Sequence, residues 1–126
     1  MQMVQTSIQA KFREVLAKLR NEVAEIQAVL LVGPDGVIDY MLDDMSLNLE
    51  VIACEYATLL QIARSASEDS GSGNLVENIV VSEKSMMIAR SVATDYYLIL
   101  LARSQDQLGR ARYELKQAAW EIQRPS

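Results

Sequence analysis

A nucleophilic thiol needs a base beside it. Cys54 is the single cysteine of the chain, and the chain has no histidine to activate it. A lone cysteine inside a predicted helix serves more often as a small buried hydrophobe. Asp43-Asp44 could offer oxygens to a hard cation. Two adjacent carboxylates without further clustered oxygens are more often a charge pair at a helix N-terminus. Asp35-Gly36 reads as an ordinary hairpin turn rather than a phosphate or metal loop. Gly71-Ser72-Gly73 lacks the Lys and Ser/Thr of a phosphate-binding loop and precedes a strand rather than a helix. Arg64, Arg90, Arg110 and Arg112 could each neutralise charge developing in a phosphoryl transfer. Any one of them is more often a solvated or ion-paired surface residue. These residues nominate no catalytic site, no metal site and no cofactor.

The bulk properties narrow the class. The 126 residues give room for a single domain, 1–126, with one core. Half the residues are hydrophobic, so collapse needs no disulfide or structural metal. Residues 1–63 hold four basic and nine acidic groups, and residues 64–126 hold eight of each. An acidic first half without a basic stripe argues against nucleic acid, where Lys and Arg supply most of the affinity. It argues equally against docking on anionic lipid. The start has no basic segment followed by an apolar run, so no signal peptide is expected. No apolar stretch reaches the ~18 residues of a membrane span. The expected location is cytoplasmic.

The elements that must position any site follow from periodicity. Ile8, Phe12, Val15, Leu19, Val23 and Ile26 recur at three and four, and Thr6 with Gln9 makes a capping box before them. This predicts a surface helix whose opposite face carries Lys11, Arg13, Glu14, Lys18 and Glu25. Ala28–Val32, then Gly33-Pro34-Asp35-Gly36, then Val37–Leu42 predict a hairpin closed by a bulged loop. A second helix is expected from about Leu47 to Ala66, capped by Asp44 or Ser46. Its wide apolar face is Leu49, Ile52, Ala53, Tyr56, Leu60 and Ala63, with Leu59 at the margin. A second, narrower row is Val51, Cys54, Thr58 and Ile62. Two apolar rows on one helix predict two partners, of which one is the domain's own sheet.

After the Ser/Gly-rich loop, Leu75–Val81, Met86–Val92 and Tyr96–Ala102 predict an antiparallel meander. Met86 and Met87 should pack on opposite faces of their strand. Ser104 with Gln107 makes another capping box, opening a last helix lined by Leu108, Ala111, Leu115, Ala118, Ala119 and Ile122 and ended by Arg124-Pro125. Gly109 in its first turn should permit a close backbone approach to a neighbour. The fold class is therefore α+β: a single five-stranded antiparallel sheet in the order 2-1-5-4-3, with helices on both faces.

The segment Ala28-Val29-Leu30-Leu31-Val32-Gly33-Pro34-Asp35-Gly36-Val37-Ile38 resembles the opening hairpin of the Roadblock family. The Ala-rich second helix matches that family's order and length. Leu108-Gly109-Arg110-Ala111-Arg112 is similar to the L-G-x-x-R start of its last helix. The resemblance covers roughly residues 8–122. The loop at 67–73 and the bulky Tyr56 depart from it. The resemblance implies homodimers or paralogous heterodimers, with third strands paired edge to edge and second helices side by side. It implies binding to a Ras-like small GTPase or to complexes that hold one. Gliding-regulator members of the family can accelerate hydrolysis by rearranging the GTPase's own groups.

Two surfaces follow as expectations. The dimer interface is Val51, Cys54, Thr58 and Ile62 with the strand edge Leu75, Glu77, Ile79 and Val81; alternatively the helical row packs under the 67–73 loop or is mildly apolar surface. The partner-binding set around that seam is Asn48, Glu50, Glu55, Gln61 and Arg64. The expected function is a non-catalytic dimeric regulator or scaffold for a small GTPase. The alternatives are a purely structural assembly subunit and, on fold grounds alone, a small-molecule sensor.

Overall fold

Apolar residues three and four apart make one side of a helix sticky, and the first helix obeys this. The structure, a computed structural model, describes residues 2–124. Helix α1 spans Gln2–Glu22 and buries Ile8, Phe12, Leu16 and Leu19. Thr6 lies inside the helix, so the expected capping box does not open it. The apolar series also overran its element. Glu25 takes φ 61°, the left-handed conformation that ends a helix, and Ile26 already begins strand β1.

Strand β1 is Ile26–Gly33 and β2 is Gly36–Leu42. Gly33 pairs with Gly36 across a two-residue turn, and Gly36 has φ 125°. The register then slips: Val32 faces Val37 but Leu31 faces Asp39. Ile38 is the extra residue of a bulge within β2, and the bulge turns Ile38 and Asp39 toward the same side of the sheet.

Helix α2 is Leu49–Asp69, followed by β3 (Glu77–Val81), β4 (Met86–Ala93), β5 (Tyr96–Ala102) and α3 (Leu108–Gln123). The sheet order is β2-β1-β5-β4-β3 with antiparallel neighbours, as the apolar patterns predict. Strand β5, central and buried throughout, takes both kinds of helix cover. Val29, Leu31, Met86, Ile88, Leu98 and Leu100 pack toward α1 and α3. Ala28, Leu30, Val32, Met87, Ala89, Ile99 and Leu101 pack toward α2. Met86 and Met87 thus part to opposite faces. Leu75 falls outside β3 and packs on the α2 side, so it is not part of the strand edge. The edge begins at Glu77, and just before it the Val76 carbonyl accepts from Ser91 N–H at 2.9 Å.

The start of α3 differs from expectation. Gln107 occupies the cap position without a side-chain cap bond. Its Oε1 instead accepts from Ala24 N–H at 3.0 Å, and Ser104 Oγ accepts from Asp106 N–H at 3.1 Å. Arg124 follows in extended conformation, and Pro125 lies outside the described residues.

Gly109 is not a close-approach glycine within the chain. A methyl group built there meets nothing within 4 Å. Gly109→Ala should raise the unfolding free energy by several tenths of a kcal/mol, up to about 1 kcal/mol, through helix propensity alone. Denaturant melts of the two proteins measure it; a loss of stability would contradict the open geometry.

Candidate interaction surfaces

Helix α2 is the element that the domain covers least. Of its 21 residues only Leu60 is buried. Leu49, Ile52, Ala53, Tyr56 and Leu59 rest half-buried on the sheet. Its start is set by Asn48, not by Asp44 or Ser46. The Asn48 side-chain oxygen accepts from Val51 N–H at 3.2 Å. Asn48, expected in the partner-binding set, therefore has a structural task as well as an exposed position.

Asp43 and Asp44 do not act together, either as a cation pair or as a helix N-terminal charge pair. Asp43 is taken by Arg20. Asp44 accepts from Ser46 Oγ at 2.6 Å, from Gln27 Nε2 at 3.1 Å and from Ser46 N–H at 3.0 Å, with Arg103 at 2.9 Å. These bonds hold its carboxyl well below the usual carboxylate range. The adjacent carboxylates fold the β2–α2 connection from two sides.

The row Val51, Cys54, Thr58 and Ile62 is exposed along its whole length. Val51 is 54% exposed and Ile62 63%. Val51 sits nine residues before Leu60, two and a half helical turns, so it points directly away from the sheet. The row therefore runs from the crest of α2 to one flank, where exposed Ala57 joins Cys54 and Thr58. Ala57 carries no signal in the sequence, because alanine fits any helix face. Gln61 lies seven residues after Cys54, close to two turns, and so falls on that same flank rather than at a rim. Glu50 and Glu55 are exposed on either side. The 67–73 loop does not cover the row: Ser67 Oγ turns back to Gly73 O at 2.8 Å, at the far end of the helix.

Strand β3 is the last strand of the sheet, paired only with β4. Val81 is exposed at its end, while Ile79 packs toward α1 and α3. Glu77 is occupied. Its carboxylate holds Arg90 at 3.1 Å and Arg112 at 2.7 Å. Arg64 is also engaged, by Asp95 and by the Tyr97 ring 5.9 Å away. Arg110 meets Glu22 and, at 3.7 Å, Glu114. All four arginines weighed as charge-stabilising fingers are thus held by carboxylates of the chain itself. The surface cavities lie between elements: one groove runs from Val32–Pro34 to Ala57, Gln61 and Arg64. No helix among the described residues is long and apolar enough to cross a membrane.

Helix, hairpin, crossover helix, meander and helix in this order are shared with solved structures. The chain is similar to MglB of Myxococcus xanthus, with TM-score 0.79, 17% identity and coverage of 90% of this chain and 86% of that one. It is similar to a Roadblock/LC7 domain from Streptomyces avermitilis, with TM-score 0.73, 19% identity and coverage of 86% and 92%. These show the fold. MglC of Myxococcus xanthus adds sequence: 33% identity over 90% of this chain and 97% of that one, with TM-score 0.63. The chain belongs to the Roadblock family. No family model matches it, and no curated protein matches it in sequence. As a Roadblock domain, it puts its least covered helix and a free strand edge where a second body can reach them.

Proposed function

We propose that this Roadblock chain is a non-catalytic dimer that binds a Ras-like small GTPase and regulates or scaffolds it. The observation that carries this reading is the exposed apolar row of α2 flanked by Glu50 and Glu55. Exposed apolar side chains aligned along one helix favour a partner. A two-fold dimer pairs the β3 edges, which removes an aggregation-prone strand edge, and brings the two exposed rows of Val51, Cys54, Thr58 and Ile62 together. The GTPase then meets the acidic outer surface of the α2 pair. Where hydrolysis is accelerated, the GTPase's own groups are repositioned. Arg64, Arg90, Arg110 and Arg112 are already tied to Asp95, Glu77 and Glu22, which supports that route over an inserted guanidinium.

The test is a pull-down from native cytosol with and without a GTP analogue, followed by turnover assays with the GTPase it retains. The isolated chain should neither bind nor hydrolyse GTP, because it has no phosphate-binding loop. Reversing Glu50 and Glu55 to Lys should slow association, more at low salt than at high salt, as exposed interface charges mostly set on-rates. Nucleotide affinity in the isolated chain would overturn the non-catalytic reading. Association unchanged by the double reversal would move the contact off α2.

A further inference from the structure

In an antiparallel ladder every second residue of a strand bonds a given neighbour, and the residues between turn their N–H and C=O the other way. The bonds at its two ends fix this alternation for β3. Val76 O accepts from Ser91 N–H at 2.9 Å, and Ser82 N–H donates to Ser85 O at 2.8 Å. Both bonds belong to one register, which pairs Glu77 with Arg90 and Val81 with Met86 and does not slip between them. Asn78 and Val80 therefore direct their backbone groups to β4. Glu77, Ile79 and Val81 aim theirs outward, where no strand of this sheet lies.

The opposite edge of the sheet is less suited to a new strand. The bulge at Ile38 interrupts β2, where Val32 faces Val37 but Leu31 faces Asp39. A bulge breaks the even spacing of backbone groups that pairing needs. The side chains of β3 also fit a strand that has a neighbour. Ile79 lies on the α1 and α3 side and Val80 on the α2 side. Glu77 and Val81 share the side of Ile79 by alternation. The Glu77 carboxylate is held by Arg90 and Arg112, so it tolerates an apolar neighbour. Val81 is 44% exposed and would gain from one.

We infer that the β3 edge takes β3 of a second copy of this chain in one register, with Ile79 on the two-fold axis. The inference rests on the dimer reading above and names which residues pair. Ile79 exchanges hydrogen bonds with the partner's Ile79, Glu77 with the partner's Val81, and Val81 with the partner's Glu77. Every outward residue of the strand is then bonded. Asn78 stands opposite the partner's Val80 on the α2 side. An axis at Asn78 or Val80 leaves one outward residue beyond the end of the facing strand. An axis at Glu77 sets two carboxylates side by side. An axis at Val81 leaves Glu77 and Ile79 without a facing strand residue. An axis between residues sets outward groups against inward ones. The strand is thus its own complement in length and charge, which favours a second copy over a foreign extended segment.

Amide exchange read residue by residue tests the pairing, on the full chain at a concentration where light scattering shows only dimer. The Glu77, Ile79 and Val81 amides should exchange at least about tenfold more slowly than in an unstructured peptide of the same sequence. In a mixture of labelled and unlabelled chains, the α-proton of Asn78 should show a through-space contact with that of the partner's Val80. These two residues exchange no hydrogen bonds, so their α-carbons lie closest. A dimer whose Glu77, Ile79 and Val81 amides exchange at the peptide rate would overturn the pairing and leave the dimer reading standing. So would an α-proton contact of Asn78 with the partner's Asn78, or of Val80 with the partner's Val80. A chain that scatters as a monomer at every concentration would remove the dimer reading and this pairing with it.

Discussion

Light scattering at micromolar concentration is expected to give about twice 14.1 kDa for this chain, and a single 14.1 kDa for a variant carrying Val51→Glu and Ile62→Glu. Both side chains are more than half exposed in the single subunit, so the substitutions leave the subunit's own core untouched. In the proposed dimer they lie where two α2 helices meet. Burying carboxylates there, four per dimer, costs several kcal/mol per unpaired charge, enough to shift dissociation by ~100-fold or more. The melting midpoint extrapolated to low protein concentration should match that of the unsubstituted chain. A native chain that is monomeric at micromolar concentration would remove the central claim. A double variant that still scatters as a dimer would place the interface away from this row.

The second large effect is expected at Asp39. Its side chain is only 7% exposed, on the β2 bulge facing α1. Arg13 Nε donates to it at 2.7 Å, Tyr40 N–H at 2.8 Å and Gln9 Nε2 at 3.3 Å. Burial alone would raise its pKa, but the bonds from Arg13, Tyr40 and Gln9 outweigh that and lower it. Asp39→Ala leaves these donors without their acceptor and should destabilise the fold by about 1–3 kcal/mol. The sign with pH follows from the lowered value. Below the unfolded-state pKa near ~3.9, the unfolded chain binds the proton first, so stability falls as pH falls through the folded value. Denaturant midpoints at neutral pH and in this acid range measure it. Asp39→Asn should show the smaller acid loss; an equal loss would mean that Asp39 does not carry the dependence.

Arg13 and Asp39 also mark where reading a sequence stops. Arg13 was legible only as one of several charges on the outer face of α1. Its carboxylate partner is 26 positions away, and the bulge that presents it has no residue signature. Strand order was legible for the opposite reason. Uninterrupted apolar runs at Ala28–Val32 and Tyr96–Ala102 can only be central, so the remaining strands had few places left. Helix starts were misread because the pattern of a capping box recurs by chance inside helices and loops. Thr6 and Ser104 fit the pattern without capping, whereas Asn48 caps without a Glu or Gln three residues on. Exposure of Val51 and Ile62 follows from helix geometry, but Cys54, expected as a small buried hydrophobe, is exposed with them, because no other element of the subunit covers that row. The occupation of Glu77 by two arginines from β4 and α3 depends on tertiary packing and was hidden.

The unequal cover of the two sheet faces has a thermodynamic consequence. On one face α1 and α3 lock to the sheet and to each other through Phe12, Leu16, Leu19, Leu115 and Ile122. On the other, α2 is fastened by one fully buried side chain and a half-buried fringe. Elements with little buried apolar surface open at free energies well below that of global unfolding. A lone subunit is then a firm half-shell carrying a hinged outer layer. Whatever closes over α2 would act first on how often that layer lifts, and only second on its shape.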